Sequence, residues 1–286
     1  MHFALSSVLP ANTYARKMFG YLIAAAEGAD WIRETDDDNL PNGNFWATVP
    51  DEVLARVPVS AERWINVYRY FTDRHIWPRG FPLDRIAECF ELEPSVSLDL
   101  HRISGPTIFQ ALADGDPDVD AIFRMSSPDR SAVEFLQLDP LLVPSGVWTP
   151  FNSQATTWPR SLFPLMYLPS TCSFRMTDIW RSFVALRLMP GLEASLVITS
   201  PTVYQDRNQH DLMRNFCDEI EGYLNYEGVI STLEATPTGG GSENLLDDLR
   251  AVYEGLCAAG YFRTEELDIV DAWIADVRYI GAGVPA

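Results

Sequence analysis

The segment Glu34-Thr35-Asp36-Asp37-Asp38-Asn39 sets three carboxylates in a row directly after a short, part-alternating apolar stretch. In extended backbone successive side chains alternate, so Asp36 and Asp38 share a face, about 5–7 Å apart, and Asp37 points away. Two such carboxylates repel by roughly 0.5–1 kcal/mol in water and about four times that at an effective dielectric near 20, a cost that a hard cation offsets. Mg2+ or Mn2+ held by one or two carboxylates keeps positions open for substrate phosphates, where it would neutralise a leaving diphosphate. Spacing alone leaves the plain alternative open, a solvated acidic turn.

Other residues could join such chemistry. Arg79 lies in the turn Trp77-Pro78-Arg79-Gly80-Phe81-Pro82, where flanking prolines limit the backbone. Its guanidinium could grip phosphate oxygens bidentately, or simply pair with a nearby carboxylate such as Asp84. Arg175, Asp178 and Arg181 are three apart, hence near one face of a helical turn. Asp178 with flanking arginines suits a general base, and equally a helix N-terminal aspartate favoured by the dipole. Asn152-Ser153-Gln154 could hydrogen-bond sugar hydroxyls, or form a polar turn. His210 clusters with Asp206, Arg207, Asn208 and Asp211 at a helix start, where a surface capping segment is the plain reading. Asp116-x-Asp118-x-Asp120 opens like an EF-hand loop, but Ala121 and Ser127 stand where Gly and Glu are needed.

The elements that must position these groups read as α/β. A helix over 13–27, capped by Asn12 and ended by Gly28, leads into a strand over 29–35 with the acidic cluster at its carboxyl end, where open α/β sheets bind ligands. Residues 39–60 read as loop with a short helix. Strands are expected at 95–99, 132–136, 141–144 and 196–199. Helices are expected from Thr177, with the stripe Ile179, Phe183 and Leu186, and over 208–224. Gly239-Gly240-Gly241, within 236–243, reads as a flexible break between a main domain, 1–235, and a hairpin of amphipathic helices, 245–259 and 264–279, in a C-terminal unit, 244–286.

The formal charge of −19 over 286 residues disfavours nucleic-acid phosphates and anionic lipid, so no nucleic-acid partner is expected. No apolar run approaches the roughly 18–20 residues of a bilayer span. The first residues do not read as a signal peptide, and the four scattered cysteines read as free thiols, which together point to a cytoplasmic protein.

Several motifs occur in a set order. Tyr14-Ala15-Arg16-Lys17, Gly20-Tyr21-Leu22, Gly28-Ala29 and the acidic segment are followed by Trp77–Leu83, Gly115–Ala121, Phe151–Gln154, Arg175–Arg181 and Gln205–Asp211. Over residues 10–225 this pattern resembles the STELLO family of glycosyltransferase-like proteins. More distantly it is similar to the reversibly glycosylated polypeptides, which are UDP-arabinopyranose mutases. The resemblance implies a GT-A-type fold, an α/β/α sandwich around a mixed sheet. It implies a nucleotide-sugar donor, UDP-linked, an acceptor, and Mn2+ or Mg2+. Asp36 and Asp38 would be metal ligands with His210 as a further one, and Asp37 a ribose or metal contact. Arg79 would lie beside the sugar and Asp178 on the acceptor side, with Asn152, Gln154, Arg175 and Arg181 around the substrate. It also leaves a second function open, a non-catalytic scaffold with protein partners or self-association, as the plant members are linked to assembly of the cellulose synthase machinery.

One departure stands out. A GT-A fold places a βαβαβ unit of about 80–100 residues before its acidic motif, and only 35 residues precede Asp36. Part of the nucleotide-binding unit is therefore expected to lie upstream in a longer protein, to come from another chain, or to be lost.

Overall fold

The structure, a computed structural model, describes residues 2–59, 63–91, 93–129, 131–206 and 211–282. Thr13, rather than Asn12, opens the first helical segment, its hydroxyl accepting from the Ala15 N–H. A single 3-10 turn, Tyr14–Arg16, continues as α1 (Lys17–Ala26). Gly28, with φ +87°, reverses the chain into β1 (Trp31–Thr35). Ten helical residues span about 15 Å and five strand residues about 17 Å. The start of α1 therefore returns beside the end of β1, which brings Tyr14 and Lys17 to the acidic segment.

The remaining elements, in order, are β2 (Asn39–Pro41), β3 (Glu52–Ala55), α2 (Ile86–Cys89), β4 (His101–Ser104), β5 (Thr107–Gly115), α3 (Ala121–Ser126), β6 (Leu141–Val143), β7 (Ala155–Pro159), α4 (Thr177–Leu188), β8 (Ser195–Gln205), α5 (Leu212–Ala235), α6 (Leu245–Ala258) and α7 (Glu266–Ile280). Six strands form a mixed sheet in the order β1-β7-β5-β8-β2, with β6 on the first half of β8. β7 is antiparallel to both β1 and β5, and β5 is parallel to β8. Consequently β1, β5 and β8 run in one direction, and their carboxyl ends lie at one end of the sheet. Gly115 permits the closing approach there: at φ +88°, a Cβ on it would stand 2.6 Å from the Gln205 carbonyl oxygen.

The two faces of the sheet are covered differently. Ile108 and Leu112 of β5, with Leu196 and Ile198 of β8, join the main hydrophobic cluster, which also holds the buried apolar residues of α1 and α4 through α7. On the other face Phe45 covers Ala111, Ala113 and Val203, while the β3–β4 ribbon sets Ala55 and Ile103 against Val197. The fold is thus mixed α/β, a mixed sheet flanked by helices, as the sequence reading expects.

Several local expectations differ from the structure. Asp36–Asp38 form a turn, not extended backbone, closed by the Asn39 N–H on the Asp36 carbonyl at 3.3 Å. The segments 95–99 and 132–136 are single bridges through Val96 and Val133, because Pro94 and the turn around Asp129 leave no length for a ladder. β5, the central strand, and β7 are absent from the sequence reading. The helix expected over 208–224 begins at Leu212 within the described residues and runs to Ala235. Gly239 and Gly240 are anchored rather than slack, donating their N–H groups to the Asp248 carboxylate at 2.7 and 3.0 Å. The hairpin of α6 and α7 packs into the main cluster, and Asp276 of α7 accepts the Ala4 and Leu5 N–H groups at 2.7 and 2.9 Å. No helix among the described residues is long and apolar enough to cross a membrane.

The buried arginines Arg79, Arg175 and Arg181 are each paired with a carboxylate. Arg181 on α4 donates to both oxygens of Glu34 on β1 at 2.7 and 3.0 Å, with Trp158 and Tyr21 completing the carboxylate's partners. Burial opposes the Glu34 charge, but the guanidinium outweighs it and holds the carboxyl below its ordinary range. Removing one member of such a pair strands the other. Arg181→Met should cost about 3–5 kcal/mol in urea unfolding, and adding Glu34→Gln should recover part of it. A loss below about 1 kcal/mol would show that the pair is replaceable by packing alone.

Asp120, with no exposed surface, caps α3 through the Phe123 N–H and accepts from the Trp77 indole, each at 2.7 Å. Burial nevertheless pushes its carboxyl up to about 6, with Glu219 adding repulsion. A carboxyl whose folded pKa is raised contributes stability that is full below the unfolded pKa and is lost as pH rises through the folded one. Between pH about 4 and 7 the native chain should lose up to about 3 kcal/mol relative to Asp120→Asn, read as the difference between their denaturation curves. Parallel curves for the two proteins would contradict this.

Candidate functional site

Like-directed strands deliver acidic residues to the same end of the sheet. β1 ends at Asp36–Asp38, β5 at Asp116 and β8 at Asp206. A cleft of ≈ 400 Å3 opens there, lined by Gly115, Asp116, Tyr204, Gln205 and Asp206, with Arg74 and Arg124 on its walls. Its volume falls within the range of small-molecule sites. Arg124 is paired with Asp116, and Arg74 with Asp129 at 2.9 Å, so both guanidiniums have carboxylate partners.

Asp36 and Asp38 are half-buried and Asp37 is exposed. Asp36 is met by α1: Lys17 Nζ lies 2.6 Å from its Oδ1, and the Tyr14 hydroxyl donates to the same oxygen at 3.0 Å. Burial raises the Asp36 carboxyl above the ordinary aspartate range, the Lys17 ammonium opposing the shift and Asp178 adding to it. Asp38 Oδ2 accepts from Gln205 Nε2 at 3.0 Å. Gln205 in turn bonds Gln154, and Asn39 donates to the Gln154 carbonyl at 3.0 Å. The two carboxylates are thus held by different elements, α1 on one side and the end of β8 on the other.

Behind Asp36 runs a relay of hydroxyls. Tyr14 Oη bonds Ser153 Oγ, and Ser153 donates to Asp178 Oδ2 from its N–H at 3.2 Å and from its Oγ at 3.3 Å. Each hydroxyl has one proton. Two protons therefore serve three contacts, Tyr14 to Asp36, Tyr14 with Ser153 and Ser153 to Asp178, and one of the three goes without a proton at any moment. Burial and the Asp36 charge push the Tyr14 phenol well above its ordinary pKa, so it stays protonated and able to serve in either direction.

Asp178 and Arg79 meet each other inside the protein. Arg79 Nη2 lies 3.1 Å from each Asp178 oxygen, and its Nε and Nη2 each lie 2.8 Å from an Asp118 oxygen. Asn152 donates to Asp118 at 2.9 Å. Arg79 is 6% and Asp178 6% exposed, which places the pair below the surface rather than against solvent. Gly80, at φ +93°, has no room for a side chain: its Cβ would lie 2.6 Å from Ile179 on α4. Arg79 does not take Asp84, the partner nearest in sequence. Among these groups a cavity of ≈ 20 Å3, lined also by Gln110 and Gln154, has room for about one water.

The three charges read as one helical face diverge in space. Arg175 pairs with Glu219 of α5 at 2.8 Å, Asp178 with Arg79, and Arg181 with Glu34. Asn152 and Gln154 are buried. His210 lies outside the described residues. Neither Lys17 nor Tyr14 is a site residue on the sequence alone, where Asp118 enters only through the incomplete EF-hand-like pattern and Ser153 only through the Asn152-Ser153-Gln154 run, a sugar-hydroxyl contact or a polar turn. The available signal was the return of a helix start to a strand end, which α1 and β1 have in their matched lengths. Among the described residues no three His, Cys, Asp or Glu side chains are grouped closely enough to hold a metal ion by themselves.

No protein-family model matches the chain. It is 28% identical, over an alignment of 298 positions that covers 97% of the chain, to a protein of Arabidopsis thaliana named probable glycosyltransferase STELLO1. Over its whole length it is 25% identical to probable glycosyltransferase STELLO2 of the same plant. The chain spans 37% and 38% of the length of these two relatives. The motif resemblance thus extends along nearly the whole chain, and the family to which it is similar is that of the STELLO-type glycosyltransferase-like proteins.

Proposed function

We propose that the chain contributes the cation and diphosphate seat of a metal-dependent glycosyltransferase that takes a UDP-linked sugar donor. One observation carries the reading. Three like-directed strands end in aspartates at one end of the sheet, those of β5 and β8 lining a cleft whose Gln205 also holds Asp38 at 3.0 Å, in a chain similar along its length to two proteins named probable glycosyltransferases.

The donor atoms fit a hard cation. Asp36 already seats a positive charge, the Lys17 ammonium. Asp36 Oδ2 and Asp38 Oδ1 take no protein hydrogen bond among the described residues. Two carboxylates suffice for Mg2+ or Mn2+ when substrate phosphates complete the shell. Asp36 and Asp38 would hold the ion, with His210 as a third proposed ligand and exposed Asp37 as a contact to ribose or metal. Bound there, a divalent cation would neutralise charge on the leaving diphosphate.

The chain's own residues do the positioning. Tyr14 and Lys17 orient Asp36, and Gln205, braced by Gln154, orients Asp38. Asp178 keeps the acceptor-side assignment, reached through Ser153 and Tyr14. Arg79 fixes Asp178 and Asp118. Asn152, Arg175 and Arg181 hold the same wall through Asp118, Glu219 and Glu34.

A second reading, a non-catalytic interaction protein, draws on the closure of Arg79 against Asp178 below the surface. The two part on nucleotide binding. Calorimetry on the full encoded protein should show UDP binding that requires MnCl2. Asp36→Ala with Asp38→Ala should weaken it by at least about 100-fold, with the thermal unfolding midpoint nearly kept. UDP binding indifferent to MnCl2 and to both substitutions would sink the enzyme reading.

A further inference from the structure

Lys17 Nζ is seated by three oxygens from three separate segments: Asp36 Oδ1 at 2.6 Å, Tyr14 Oη at 2.9 Å and the Ser153 carbonyl at 3.3 Å. Its charge also lies over the Tyr14 ring, 4.9 Å from the centroid. Carboxylate, hydroxyl and backbone carbonyl are the hard oxygen donors that Mg2+ and Mn2+ take. An ammonium with its three donors on such a set is a cation already in place. The seat is built by the fold and not by the acidic turn alone, because it needs the start of α1 and the loop before β7.

We propose that Lys17 is the resident counter-ion of Asp36 and that it and a divalent cation occupy this carboxylate alternately. The proposal rests on the metal-dependent reading above and adds a regulation to it. Close to Asp36 the two positive charges oppose one another, so entry of the metal releases the ammonium. The four-carbon stem, with its side chain 23% exposed, leaves the charge free to swing on its flexible tether toward whatever anion arrives with the metal. A diphosphate supplies that anion. Without it, expelling Lys17 leaves an ammonium with no partner, and metal affinity is low. With it, the ammonium exchanges Asp36 for a phosphate oxygen, and metal and nucleotide enter together. Tyr14 and Ser153 stay behind on Asp36 and Asp178, so the exchange also loosens one end of the hydroxyl relay.

Mn2+ binding to the whole protein, read by electron paramagnetic resonance of free MnCl2, tests this without measuring turnover. Lys17→Met should bind Mn2+ alone about tenfold or more tightly than the native chain, and Lys17→Arg, which keeps the charge, should not. UDP should tighten Mn2+ binding in the native chain by a larger factor than in Lys17→Met. Equal Mn2+ affinity of the native chain and Lys17→Met, both folded by circular dichroism, overturns the proposal while leaving the metal reading intact. If Lys17→Met does not fold, Tyr14→Phe, which removes one of the three seats, should raise Mn2+ affinity in the same direction, and an unchanged affinity there overturns the proposal. Absence of Mn2+ binding from every variant, with and without UDP, overturns both.

Discussion

The guanidinium of Arg79, held below the surface between two carboxylates, is the constraint on which the candidate site depends. One positive charge faces Asp118 and Asp178, and a buried ion tolerates only an arrangement that satisfies every partner. The excess negative charge is met by hydrogen-bond donors, Asn152 on Asp118 and Ser153 on Asp178. Four segments distant in sequence are thereby locked together: the 77–82 turn, the turn after β5, the loop before β7 and α4. Gly80 is part of the same constraint, since α4 approaches too closely there for any side chain.

From that anchor the order spreads toward the surface through Ser153 and Tyr14 to Asp36. The interior end of this path is buried and ion-paired; the exterior end is a carboxylate with one oxygen engaged and one that takes no protein hydrogen bond among the described residues. A chain with formal charge −19 repels phosphates at long range. Attraction at the acidic end must therefore come from local positive charge, and among the described residues the fold sets Lys17 directly on the turn.

The helical hairpin belongs to this architecture rather than standing apart. Glu266 at the start of α7 accepts the Ser170 and Thr171 N–H groups and the Tyr167 hydroxyl, all in the segment leading to α4. Asp276 at the other end of α7 closes the N-terminal 3-10 turn ahead of α1. Both carboxylates are buried and are satisfied by these backbone N–H donors. The elements that present Tyr14, Lys17 and Asp178 are braced from behind by the last helices of the chain.

Residue type and local period alone determined α1, β1, α4 and the hairpin, because their apolar stripes, caps and glycine stops are written within ten or fifteen residues. They also determined that the acidic turn follows a strand, and the ordered motifs carried the family resemblance. β5 escaped because Thr107–Gly115 is buried on both faces and shows no alternation, the mark of a central strand. The partners of Arg79, Arg175 and Arg181 escaped for a different reason. Helical spacing puts Arg175, Asp178 and Arg181 on one face, but what each charge meets is set by α5, the 77–82 turn and β1, which lie 44, 99 and 147 residues away. The sequence by itself placed three aspartates at a strand end. Only the tertiary structure decided that Lys17 meets Asp36, because that contact exists where a helix start and a strand end are folded side by side.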